Sequence, residues 1–139
     1  MVLRNASLLW GLFFLRLGLS LFLILWAIDK IVAPEATVNM YLQRYSIGTT
    51  ASVVSIVGAF ELVLGLLMLL GMYKTITYGL GLLLQITSIV FSFSALLFPF
   101  GDDHIYISVF PIFFSFLSLF LLRELDTKLT FSKKKSIFS

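Results

Sequence analysis

Four apolar stretches, residues 8–31, 50–72, 76–98 and 105–122, constrain this chain more than any other feature of its sequence. Each approaches the ~20 residues that an α-helix needs to cross the hydrocarbon core of a bilayer. Only 12% of the residues are charged and the mean hydropathy is +1.06, whereas a soluble domain carries roughly 25% charged residues. A chain of 139 residues is too small to hide so much apolar surface in its own interior. The composition therefore excludes a soluble globular domain, a disordered tail and a nucleic-acid binder. Transmembrane β-strands would alternate in polarity over ~10-residue segments, and no such alternation is present. The expected fold class is an all-α membrane protein, with four transmembrane helices in an antiparallel up-down bundle and the bilayer as first partner.

The connections set the order of the helices. Gly71-Met72-Tyr73-Lys74 is tight, and Pro99-Phe100-Gly101-Asp102-Asp103-His104 has turn composition. Short links make successive helices antiparallel neighbours. The long link, 32–48, contains Pro34-Glu35 as a helix start, followed by Val38, Tyr41, Leu42 and Tyr45 at helical spacing. It reads either as a short amphipathic helix at the membrane surface or as a plain loop. The bundle is expected to occupy residues 1–125, with 126–139 a basic cytoplasmic tail ending in Lys133-Lys134-Lys135. Arg4, Lys74, Arg123, Lys128 and the three tail lysines lie on one side, against Lys30 and Arg44 on the other. Positive charge concentrates in the cytoplasm, so both termini are expected there. The first apolar stretch is read as a retained span rather than a leader, in keeping with a bacterial or archaeal inner membrane.

Ionisable groups inside a span are costly and mark functional positions. Arg16 lies ~12 Å into the first apolar segment, Glu61 ~15 Å from the end of the second and Gln85 ~15 Å into the third. The three groups are therefore expected at one depth. Arg16, Ser20, Ala27 and Lys30 share a stripe, as do Gly58, Glu61, Gly65 and Met68; Gly81, Gln85, Ser88 and Ser92; and Ser108, Pro111, Ser115 and Ser118. Small residues permit close helix approach in lipid, so these stripes are expected to face one another. A buried Arg16–Glu61 ion pair joined by Gln85 follows. It would act as a clamp on helix register, as a pocket for a quinone headgroup or similar ligand, or as a proton path through Glu61. Lys30, at the outer edge, would snorkel to the interface or meet an outer-leaflet headgroup.

Other chemistries find little material. The chain has no cysteine and one histidine, which leaves no thiol redox chemistry and no multi-histidine metal or haem site of its own. Asp102, Asp103 and His104 read as a solvated turn rather than a metal site. Trp10, Trp26, Tyr41, Tyr45, Tyr73 and Tyr106 fit an aromatic belt at the interfaces.

Leu15-Arg16-Leu17 through Phe22, Ala27 and Lys30, followed by Gly58-Ala59-Phe60-Glu61-Leu62, Gly65 and Leu69-Leu70-Gly71, resembles the DoxX-like family of small membrane proteins. The resemblance covers roughly residues 12–90. Ser20 and Ala27 stand where that family usually has glycine, and Lys74 where it often has arginine. The resemblance implies a four-helix membrane protein associated with redox systems, such as the small subunits of thiosulfate:quinone oxidoreductases. It carries over Arg16, Lys30 and Glu61 as candidate residues. The expectation is a non-catalytic subunit or accessory of a quinone-linked or other membrane redox complex, with quinone as the possible cofactor. Its partners would be other membrane subunits or further copies of itself. The alternatives are a purely structural assembly subunit and a small proton-coupled transporter.

Overall fold

The fold is that of a computed structural model, which describes residues 6–97, 100 and 107–131. Arg4, the Asp102-Asp103-His104 turn, Tyr106 and the Lys133-Lys134-Lys135 run lie outside the described residues. Helices α1 (Ala6–Val32), α2 (Pro34–Tyr45), α3 (Ala51–Leu69), α4 (Lys74–Phe91), the single turn α5 (Phe93–Leu96) and α6 (Val109–Leu121) follow in order, with no strand among the described residues. Three of them, α1, α3 and α4, are long and apolar enough to cross a membrane. The fourth apolar segment forms the shorter α6, of 13 residues, or about 20 Å at 1.5 Å per residue.

Helix ends follow local chemistry. Pro34 occupies the first turn of α2, with Glu35 beside it and Arg44 in the last turn, charges that complement the helix dipole. Thr50 caps α3, its side chain accepting the Val53 N–H at 3.4 Å. The long link does contain the amphipathic helix, but its packed face is rotated from the expected stripe. Thr37 is buried, whereas Leu42 is 56% exposed.

α1 packs along α3, and α4 along α6; α3 against α4 and α1 against α6 close the ring. Three glycines set the α1–α3 register. A Cβ on Gly58 would lie 2.9 Å from Lys30 Cβ and 3.0 Å from the Ala27 carbonyl oxygen, and one on Gly65 would lie 2.8 Å from Ile24 Cγ1. Gly71 (φ +66°) faces Arg16 Nη1 at 2.9 Å in the same sense. Residue numbers rise on one helix as they fall on the other, so the pair is antiparallel. Leu12, Leu19, Leu23, Leu64, Met68, Tyr78, Phe116 and Leu119 fill the interior. The outer surface is apolar as well: Phe60 is 75% exposed and Leu25 66%.

The stripes on α1 and α3 are buried in full, and on α4 all but Ser88 are. The α6 stripe corrects the expectation. Ser108, Pro111 and Ser118 are exposed and Ser115 is partly so, while Phe116 and Leu119 face inward. The reason is steric. The notch left by Gly81 receives the Phe116 ring, whose Cε1 lies 2.7 Å from where a Cβ would be, so the bulky face of α6 packs against the small face of α4.

The close α1–α3 approach is testable. Gly58→Val will cost about 1–3 kcal/mol through overpacking, because the Ala27 backbone cannot retreat. Gly18→Ala, with no atom within 4 Å of the new Cβ, will be neutral or stabilising by up to about 1 kcal/mol. Equilibrium unfolding in detergent checks both.

Candidate functional site

The buried charges form two clusters at opposite ends of the bundle. The inner cluster, at the end nearest the tight α3–α4 link, centres on Arg16 of α1 and Asp126, both fully buried. Arg16 Nη1 donates to both Asp126 carboxylate oxygens at 3.0 Å, and Nη2 donates to the carbonyls of Lys128 at 2.7 Å and Leu129 at 3.2 Å. Tyr78 Oη donates to Asp126 Oδ2 at 2.6 Å, and Lys74 Nζ donates to the Asp126 carbonyl. Lys74 and Tyr78 sit one turn apart on α4, on the buried face that continues through Gly81 and Gln85.

The segment that carries Asp126 is held at several further points. The Phe131 N–H donates to the Leu70 carbonyl at 2.9 Å. Thr130 packs where Gly71 has no side chain, and Lys128 Nζ stands 4.8 Å above the Trp10 ring. A left-handed backbone and two close neighbours leave glycine as the fitting residue at position 71. Arg16 Nε and Ser20 Oγ are buried without a hydrogen-bond partner among the described residues.

The outer cluster pairs Lys30 with Glu61. Lys30 Nζ donates to both carboxylate oxygens at 2.6 Å, with the two side chains 11% and 10% exposed. α2 covers this end. Burial first, and the negative charge of Glu61 second, push the Tyr41 phenol above its ordinary pKa. Tyr45 Oη and Ser92 Oγ share a hydrogen bond at 3.2 Å, tying α2 to the end of α4. Gln85 is buried on α4.

The expected Arg16–Glu61–Gln85 layer is therefore corrected. Arg16 lies opposite Gly71, ten residues along α3 from Glu61, or about 15 Å, and its carboxylate is Asp126. Depth counted from the ends of apolar stretches assumed that all the helices begin at one level. Instead α1, at 27 residues against 19 for α3, runs past the end of α3, and residues 126–131 cover the overhang. Lys30 is likewise no snorkelling residue. Gly58 brings α1 so close that the ammonium reaches Glu61. Asp126, the first residue of the expected basic cytoplasmic tail, is instead in the core. The sequence signal for it was the α4 stripe extended backwards from Gly81, which reaches Tyr78 and Lys74 and so brings a phenol and a cation to this end of the interior.

On the lipid side, an apolar groove of about 400 Å³ runs between α3 and α4, lined by Phe60, Val63, Leu64, Leu67, Ile76 and Leu80 among others. α3 meets α4 much less extensively than it meets α1. Compared with known proteins, the chain matches no family model, no curated protein and no solved structure.

Proposed function

We infer that this chain is a DoxX-like integral membrane subunit, without catalysis of its own, that serves a quinone-linked or other membrane redox complex. In this reading it crosses a bacterial or archaeal inner membrane four times with both ends in the cytoplasm. Lys74, Arg123 and Lys128 gather at the inner end, while Lys30 and Arg44 belong to the other. With no cysteine and one histidine in the chain, the electron-carrying group belongs to a partner.

The observation that carries the reading is Gln85. Gln85 is 6% exposed on α4; a side-chain amide gains from a partner in a low-dielectric interior, and a ligand carbonyl would accept from it. Gln85 lies five residues beyond Leu80 at the rim of the α3–α4 groove, or about 7.5 Å along α4, and Phe60 of the same rim adjoins Glu61. A quinone suits this arrangement, its isoprenoid tail along the groove and its ring oxygen at the Gln85 amide. Purification in mild detergent, followed by lipid extraction and mass spectrometry, tests it. Wild type retains quinone and Gln85→Leu loses it; equal and negligible quinone in both overturns the reading.

A structural or assembly role is the second reading, favoured by the saturation of Glu61, both of whose oxygens accept from Lys30. It is the reading that stands if no quinone co-purifies and the bundle still requires both ion pairs.

A further inference from the structure

The inner cluster holds more positive charge and more donors than the one carboxylate in it requires. Arg16 and Lys74 are both buried; Arg16 pairs with the Asp126 carboxylate, whereas Lys74 donates to the carbonyl of the same residue. Glu124, two residues earlier, is largely exposed and sits 3.8 Å from Arg123. The surplus donors reach backbone carbonyls of the same short segment, those of residues 126, 128 and 129, and Arg16 Nε still has no partner. Arg16, Lys74 and Tyr78 come from α1 and α4, elements that also pack against α3 and α6. Leu12 and Leu19 on α1 and Tyr78 itself belong to the main core. The side of the site that receives the carboxylate is therefore built by the bundle, and the carboxylate arrives on a segment that follows the last helix.

We propose that Arg16, Lys74 and Tyr78 form a carboxylate-binding site that the chain fills with its own Asp126, so that residues 126–131 are a tethered ligand exchangeable with a free small carboxylate. The chemistry is specific. Two N–H groups of the Arg16 guanidinium and the Tyr78 hydroxyl converge on one planar anion, with the Lys74 ammonium beside it on the carbonyl of the same residue, an arrangement that a spherical halide satisfies poorly. When the carboxylate leaves, two cations stay behind in a low-dielectric interior, which drives the uptake of a replacement. This inference is independent of the quinone reading, because Gln85 lies seven residues beyond Tyr78 on α4, about 10 Å along the helix, and takes no part in the cluster.

The test is chemical rescue. Asp126→Gly opens a space of the size of the lost acetate-like side chain. Its thermal midpoint will fall below that of wild type, and formate and acetate will raise it saturably. Chloride at matched ionic strength will leave it unchanged. A second measurement uses the absence of native cysteine. In a chain with Asp126 intact, Thr130→Cys reports release of the segment by its rate of alkylation. Acetate will accelerate labelling by competing with Asp126, and chloride will not. If Asp126→Gly does not accumulate, the labelling rate decides alone. A response to acetate and chloride alike, or to neither, overturns the proposal.

Discussion

Replacing Asp126 with alanine will destabilise the folded chain by about 3–5 kcal/mol, the usual cost of stranding one member of a buried ion pair. Arg16 would lose the acceptor of its two Nη1 contacts, and Tyr78 would lose the acceptor of its hydroxyl proton. Arg16 cannot turn to solvent for compensation, since it is fully buried and wedged against Gly71. The segment should loosen as well, because what remains are carbonyl contacts to Arg16 and Lys74, the backbone bond from Phe131 to Leu70, the Thr130 contact at Gly71 and the Lys128–Trp10 contact. Unfolding in detergent, with hydrogen exchange at the Phe131 amide as a local probe, measures both consequences. Asp126→Asn will lose less, because one acceptor and the side-chain shape survive.

Glu61→Ala is the second large effect, expected at about 3 kcal/mol, the low end of the same range, since the Lys30–Glu61 pair keeps a little exposure. Lys30 would be left as an unpaired ammonium beside Ala27 and Gly58, beneath α2. A second substitution, Lys30→Met, should restore most of the loss by removing the stranded charge, because replacing a buried ion pair with apolar groups of similar volume is often neutral. Arg16→Met should not restore it. Unfolding midpoints of the three variants separate these outcomes.

Much of this arrangement was legible in the residues. The 3.6-residue spacing of Arg16, Ser20, Ala27 and Lys30, and of Gly58, Glu61, Gly65 and Met68, identified the faces that α1 and α3 turn inward, since polar and small residues cannot profitably face lipid. Pro34-Glu35 marked the start of α2 for a reason local to the helix terminus. Axial register was not legible, because it depends on contacts between helices. The notch at Gly58 fits Lys30 and Ala27, and the notch at Gly71 fits Thr130, but neither partner can be read from the notch itself. The sequence also offered no reason to prefer Phe116 over Ser115 as the inward residue of α6, since lipid and core are both apolar. Asp126 is not legible as an interior residue, because an acid past the last apolar stretch, like its neighbour Glu124, looks like part of a solvated tail. Only the convergence of Arg16, Lys74 and Tyr78 from two helices turns that position into an interior one.

The central claim is that Glu61 belongs to Lys30 and Arg16 to Asp126, in two clusters that do not share an ion pair. Double-mutant cycles on unfolding free energy test it most directly. The Lys30→Met/Glu61→Leu cycle is expected to give a coupling of about 1–3 kcal/mol, whereas Arg16→Met/Glu61→Leu should be additive within about 0.5 kcal/mol, as for residues more than ~10 Å apart. A strong Arg16–Glu61 coupling together with additive Lys30 and Glu61 effects would contradict the account.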